Sequence, residues 1–263
     1  MPLRLWQDMT TVDIRASDVT RWIAVQPVAA VEQHGPHLPL STDSDIAAGA
    51  VARTIGLLPA DLPATFLPIQ TIGKSDEHQS FPGTLSLSAT TLRSVLTEIG
   101  ESAHRSGLRK LVLVSSHGGN SPVLDIVAGE LRSSLGMLVV TTSWRRFGYP
   151  DRLFSNDEIA LGIHGGDIET SLMLHLRPDA VRRDLALDFP SGQAALADRF
   201  RHLRAYGSHQ FGWRTEDLNA DGAVGNASAA TAAKGKAVLD YQAARFVELL
   251  QEVAAFDLPA LHH

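Results

Sequence analysis

The chain has 263 residues, 44% of them apolar and 20% charged, which is the composition of a folded domain and excludes disordered, collagen-like and low-complexity classes. The formal net charge is −6 and no segment concentrates Lys and Arg, so nucleic-acid binding is not expected. The absence of cysteine excludes disulfides, thiolate metal sites and cysteine nucleophiles, so any metal must be held by His, Asp and Glu.

The sequence shows no sign of membrane attachment or export. Its first residues, MPLRLWQDMT, lack the apolar stretch of a secretory signal. No run approaches the roughly 20 apolar residues that span a bilayer. We therefore expect a cytoplasmic protein.

Short apolar runs alternate with stretches of helical periodicity. The runs cover residues 22–31, 64–69, 110–116 and 137–143. This alternation predicts an α/β fold with a mostly parallel central sheet and helices on both faces.

The predicted helices have recognisable ends. One helix covers about 91–105 before Gly107, and another starts at Ser121-Pro122 and ends before Gly136. Further helices are expected at about 167–176 and 229–255. Residues 183–228 have a weaker pattern and are expected to be peripheral. No linker or repeat interrupts the chain, so we expect a single domain over residues 1–263.

A polar segment follows the first predicted strand and reads EQHGPHLPLSTDSD. Glu32 and His34 are two residues apart, so both point to one side of an extended chain, and the Gly-Pro turn lets Asp43 approach from the other side. Two carboxylates and an imidazole suit Zn²⁺ or Mn²⁺. The alternative is that Asp43 or Ser41 caps a helix while Glu32 and His34 are solvated.

Two more histidines each precede a pair of glycines. His117 follows the third predicted strand, and ligands bind at the carboxyl ends of strands in open α/β sheets. His164 precedes a predicted helix with Glu169 in its first turn, where the helix dipole favours a carboxylate with or without a metal. Taken singly, each of these residues also has a purely structural interpretation.

Two other chemistries are disfavoured. Ser116 adjoins His117, but neighbours in a strand point to opposite faces, and no Gly-x-Ser-x-Gly elbow exists. The Gly-Lys-Ser at residues 73–75 has Pro68 where a P-loop requires glycine.

Together these motifs resemble the creatininase (creatinine amidohydrolase) family, in the family's order. The matching stretches are VEQHGPHLP with the following Thr-Asp, GKSDEHQSFPGTL, HGGN, and HGG followed by ETSLML. The resemblance implies an α/β fold with a mostly parallel sheet, a two-metal centre and a hexamer built as a trimer of dimers.

The resemblance also implies a ligand set. By motif position, Glu32, Asp43 and His117 would hold one metal. His34, Asp43 and a further carboxylate would hold the other, with Asp43 bridging. In creatinine hydrolase the HGGN stretch reads His-Tyr-Glu-Asn and its Glu is a ligand, whereas this chain has Gly118-Gly119. We expect Glu169 to supply that carboxylate.

Catalytic roles follow from the same resemblance. His164 matches the family's catalytic histidine and is expected to protonate the departing nitrogen, with Glu169 and His37 as further catalytic candidates. Glu77 and His78 are secondary candidates for the site. The Tyr-to-Gly change removes an aromatic wall, which argues against creatinine as the substrate.

These features predict a metal-dependent amidohydrolase with two divalent ions per chain, Zn, Mn or Fe. It would cleave the unactivated C–N bond of a small cyclic amide or formamide through a metal-bound hydroxide. Two alternatives stay open: a peptidase of the type that trims the mycofactocin precursor, acting on a short peptide, or a non-catalytic metal- or ligand-binding protein.

Overall fold

The centre of the structure, a computed structural model that describes residues 1–258, is a four-stranded parallel sheet of order β2-β1-β3-β4. Its strands are β1 (Ile23–Val28), β2 (Ala64–Phe66), β3 (Lys110–Ser115) and β4 (Leu138–Ser143). The predicted fold class is confirmed. Three strands end earlier than predicted, β1 and β2 by about three residues and β3 by one, and β1 ends opposite Ser115, the last residue of β3.

Helices connect the strands and cover both faces. In chain order they are α1 (Thr11–Arg15), α2 (Thr42–Leu57), α3 (Ala89–Arg105), α4 (Ser121–Leu135), α5 (Asn156–Leu161), α6 (Asp167–Leu176), α7 (Gly192–Arg199), α8 (Thr215–Leu218) and α9 (Ala232–Ala255). The start of α9 is three residues later than predicted because Thr231 caps it, accepting a hydrogen bond from the Lys234 amide. The end of the predicted domain, residues 259–263, lies outside the described residues.

Alternate residues of each strand face two separate apolar cores. In β3, Val112 and Val114 pack with α2, α6 and α9, while Leu111 and Leu113 pack with α3 and α4. Within the described chain, no helix combines the length and apolar character needed to cross a bilayer.

Residues 183–228 are less peripheral than predicted. They form α7, α8 and a two-stranded ribbon of β5 (Asp188–Phe189) and β6 (Gly225–Asn226). Isolated backbone bonds join His164 to Val224, so this region lies against the loop before α6. It therefore forms part of the surroundings of the carboxyl ends of the strands.

The packing of α9 on α6 depends on Gly235. A Cβ at this position would overlap the backbone oxygen of Ser171, whereas a Cβ at Gly129, on the exposed side of α4, would meet nothing within 4 Å. We expect Gly235→Ala to lower the free energy of unfolding by about 1–3 kcal/mol through overpacking.

Gly129→Ala is the matched control, expected to raise the free energy of unfolding by about 0.5–1 kcal/mol because glycine costs more backbone entropy in a helix. Urea denaturation measures both. Equal stability of Gly235→Ala and the parent chain would contradict the described packing.

Candidate metal centre

Five of the residues selected from the sequence meet at the carboxyl edge of the sheet. Glu32 and His34 follow β1, Asp43 is in the first turn of α2, His117 follows β3, and Glu169 is in the first turn of α6. A tight turn makes this possible, since Gly35 adopts φ 69° and His34 pairs with Leu38. The ends of two strands and the first turns of two helices therefore bring all five side chains to the same edge of the sheet.

The first group of ligand-type atoms belongs to Glu32, Asp43 and His117. Their candidate atoms lie within 4.8 Å of one another. His117 Nδ1 is 3.0 Å from Glu32 Oε1 and 3.7 Å from Asp43 Oδ2.

The second group belongs to His34, Asp43 and Glu169. His34 Nε2 is 3.8 Å from Asp43 Oδ1 and 3.7 Å from Glu169 Oε2. Asp43 thus faces His117 with one oxygen and His34 with the other. A third group, Glu32, His34 and His164, overlaps both of these.

Hydrogen bonds to backbone carbonyls leave a ring nitrogen of three histidines facing the carboxylates. His34 Nδ1 donates to the Glu32 oxygen (3.1 Å), His117 Nε2 to the Lys74 oxygen (3.0 Å) and His164 Nε2 to the Gln33 oxygen (2.7 Å). Because a carbonyl only accepts, each of these nitrogens carries the proton. Such bonds are the usual support of metal-ligating histidines.

Several buried atoms in this centre have no hydrogen-bond partner. They are Glu32 Oε2, His34 Nε2 and Asp43 Oδ2, whereas Glu32 Oε1 faces ring nitrogens of His117 and His78. Glu32 is 0% exposed and Asp43 is 1% exposed, so solvent does not compensate these groups. The residues therefore fit divalent cations, and their N/O donor set suits Zn²⁺ or Mn²⁺. The interpretation in which Glu32 and His34 are solvated is wrong.

The charges of the centre are coupled. Burial raises the pKa of Glu32, but His117, His78 and His34 outweigh it and bring that pKa well below its usual value. Burial, then the charge of Glu32, raises the pKa of Asp43 well above its usual value. Burial lowers the pKa of His117, yet the carboxylates of Glu32, Glu77 and Asp43 raise it well above normal.

Glu77 occupies the space beside Gly119. Its Oε1 lies 3.3 Å from His117 Nε2 and its Oε2 accepts from Lys74 Nζ at 3.0 Å. A Cβ at position 119 would overlap both Glu77 Oε1 and His117 Nε2, so only glycine permits this approach. Burial raises the pKa of Glu77, but the hydrogen bond to His117 and its charge lower that pKa to about 2.

The two remaining histidine candidates, His78 and His37, lie in different surroundings. His78 is buried, with Nε2 3.4 Å from Glu32 Oε1. His37 instead stacks on Phe189 and bonds to Thr170 Oγ1 at 2.9 Å, away from the cavity described below. Burial lowers the pKa of both His37 and His78 to about 4.

A cavity of about 560 Å³ opens onto the centre. His117, His164 and Glu169 line its inner part. Aromatic side chains form much of its wall: Trp144, Tyr149, Tyr206, Phe211 and Trp213. Burial, followed by the charges of His78 and His34, lowers the pKa of His164 well below its usual value.

Sequence reasoning missed several residues around the centre. Gln33 and Thr215 contact His78, and Tyr206 and Phe211 join the cavity wall from the weakly patterned region. Trp213, from the same region, also lines the cavity, whereas its neighbour Arg214 does not. Of these residues, only Gln33 could have been selected from the sequence, because it lies inside the EQH motif.

Comparisons with known proteins identify the family to which the chain belongs. The profile of the Creatininase family, described as creatinine amidohydrolase, matches residues 7–250. The chain is 36% identical over 216 residues to the mycofactocin precursor peptide peptidase of Mycolicibacterium smegmatis, covering 81% of this chain and 77% of that protein. It is 34% identical over 183 residues to the creatinine amidohydrolase of Pseudomonas putida, covering 64% and 69% respectively.

A solved structure named "Creatininase Mn" superposes with a TM-score of 0.76 at 26% identity, covering 97% of this chain and all of the other. The resemblance found in the motifs is thereby confirmed. The chain belongs to the creatininase family of hydrolases.

Proposed function

We propose that this protein is a dinuclear metal-dependent hydrolase of an unactivated amide bond. The observation that carries the proposal is the position of Asp43, whose two oxygens face separate groups of buried ligand-type atoms. A carboxylate shared in this way can hold two cations close together.

The division of ligands follows the two groups. Glu32, Asp43 and His117 would hold one cation, and His34, Asp43 and Glu169 the other. Divalent cations at such a centre lower the pKa of water and polarise an amide carbonyl. Glu169 is kept in place by the Gly165 amide, which donates to its Oε2 at 2.6 Å. Glu169 thus supplies the carboxylate that position 119 lacks.

His164 is suited to move a proton between water and the leaving nitrogen. Its Nε2 proton is committed to the Gln33 carbonyl, so Nδ1 is free to accept, and the ring lines the cavity. The lowered pKa keeps the ring neutral at pH 7, so it takes a proton from the attacking water before donating it to the amine. His37 lies behind the centre, so we assign it no contact with substrate.

The size of the cavity bears on the substrate. Pockets of about 300–1,000 Å³ enclose drug-sized ligands, and at about 560 Å³ this cavity is much larger than a small cyclic amide or formamide. Its aromatic wall and the similarity to a peptide peptidase favour the end of a short peptide. Cyclic amides and formamides are the competing substrates, and a hexamer stays a prediction.

Asp43→Ala should abolish binding of both cations together with amidase activity. Asp45→Ala, two residues along the same helix and paired with Ser41 and Arg177, is the control and should keep both. Elemental analysis after loading with Mn²⁺ or Zn²⁺ should give two ions per chain in the parent and the control. Activity is followed on short peptides, cyclic amides and formamides. An active Asp43→Ala variant would refute the proposal.

Zn²⁺ binding at pH 7 should release protons. The raised pKa of His117 means that its ring is protonated without a cation, and the cation must displace the proton from Nδ1; the raised pKa of Asp43 acts in the same direction. Affinity should therefore fall as the pH is lowered. Calorimetry in two buffers of different ionisation enthalpy counts the protons, and His117→Asn should release fewer. Binding without proton release would contradict this assignment.

Gly119→Ala should weaken Zn²⁺ binding about 10–100-fold, the usual effect of removing a hydrogen-bond partner of a ligating histidine. The added Cβ would overlap both the Glu77 carboxylate and the His117 ring, so it disturbs the ligand together with its partner. Gly118→Ala is the matched control, because a Cβ there meets nothing within 4 Å. Competition with a chelating dye measures both affinities. Equal affinities for the two variants would exclude a supporting role for Glu77.

A further inference from the structure

The side-chain amide of Gln33 is held in a single orientation behind the metal centre. Its Oε1 accepts from the Gly35 amide at 2.9 Å, and its Nε2 donates to the Gly222 oxygen at 2.8 Å. A backbone N–H only donates and a carbonyl only accepts, so the two ends of the amide cannot be exchanged. Gly35 and Gly222 both adopt positive φ, which brings their backbones to this buried side chain.

The second N–H of the amide faces His78. Gln33 Nε2 lies 2.8 Å from His78 Nδ1, so Nδ1 must accept and the ring proton belongs on Nε2. His78 Nε2 lies 3.4 Å from Glu32 Oε1. We infer that Gln33 is a positioning residue, whose amide holds His78 in the tautomer that donates to Glu32 and so keeps this imidazole out of the ligand set.

Thr215 does not decide the tautomer. Its Oγ1 is 2.7 Å from His78 Nδ1 and 2.9 Å from the Glu77 oxygen. Its single proton goes to the Glu77 carbonyl when Nδ1 donates and turns to Nδ1 when Nδ1 accepts, so the hydroxyl accommodates either state of Nδ1. With a proton on Nδ1, however, the ring would face the Gln33 amide donor to donor at 2.8 Å.

This arrangement gives His78 a different hydrogen-bonding direction from that of the neighbouring histidines. His34 and His164 donate outward to carbonyls and direct a lone pair inward, and His117 does the same once a cation has displaced its Nδ1 proton, whereas His78 directs its proton inward to Glu32. In the opposite tautomer its lone pair would face Glu32 Oε1 and compete as a ligand. The inference rests on the proposed function only in treating Glu32 as a metal ligand, because the tautomer itself is independent of activity.

Magic-angle-spinning NMR of the full chain with ¹³C,¹⁵N-labelled histidine distinguishes protonated from unprotonated ring nitrogens. Comparison with His78→Gln assigns the signals of His78. The parent should show the proton on Nε2, and Gln33→Glu, which presents only acceptors, should move it to Nδ1. Gln79→Glu adds the same charge at an exposed position beside His78 and should leave the tautomer unchanged.

Thr215→Val supplies an independent test if Gln33→Glu does not fold. Gln33 still donates in this variant, so the proton should stay on Nε2. A proton on Nδ1 in the parent chain, or a shift to Nδ1 in Thr215→Val, would overturn the inference.

Zn²⁺ affinity gives the functional readout. His78→Ala should bind Zn²⁺ about 10–100-fold more weakly, as expected for loss of a partner of a ligand. His78→Gln keeps an N–H near the Nε2 position and should restore most of that affinity. Equal losses in both variants would show that His78 acts only through packing. Absence of Zn²⁺ binding by the parent would refute the proposed function and leave the tautomer assignment standing.

Discussion

The burial of Glu32 and Asp43, with an oxygen of each carboxylate left without a hydrogen-bond partner, is the constraint on which the rest of this structure depends. Such groups are costly in a protein interior unless an opposite charge is bound to them. Protonation of Asp43 and His117 lessens that cost only in part, because Glu32 Oε2 still has no partner. A pair of divalent cations compensates all of them at once, which is why we interpret the cluster as a metal centre.

The fold serves this centre through geometry and through hydrogen bonding. Parallel strands bring Glu32 and His117 to one edge, and the first turns of α2 and α6 bring Asp43 and Glu169 across from them. Backbone carbonyls then orient the imidazoles. Two of these carbonyls, those of Glu32 and Gln33, belong to the loop that carries Glu32 and His34, and the third belongs to Lys74 on a separate loop, so loops fix the nitrogen that each ring offers.

Much of this centre was predictable because its signals are local. The spacing of Glu32 and His34, the Gly-Pro turn and the strand before His117 all act within a few residues. The missing carboxylate at position 119 also pointed to Glu169, and the structure brings Glu169 Oε2 within 3.7 Å of His34. The burial of His78 and the approach of Glu77 to Gly119 depend on a loop that is far from His117 in the sequence, with Lys74 43 residues away, and no periodicity encodes them.

The region 183–228 was harder to interpret for the same reason. Its small helices and short ribbon have little apolar repetition, yet the region carries Thr215 in α8 and, in its loops, Gly222 and part of the aromatic wall. Such a segment supplies single contacts to a site and has only a small apolar core of its own. Its sequence therefore shows little periodic pattern from which its structure could be predicted. His37 illustrates the opposite case, since a histidine in a strong motif packs on Phe189 outside the cavity.

The most direct test of the account is the anomalous scattering of Mn²⁺ in crystals of the metal-loaded protein. The account predicts two peaks roughly 3.5–4 Å apart, the separation usual for two-metal sites, one on each side of the Asp43 carboxylate. A single peak, or peaks that Asp43 does not touch, would contradict it.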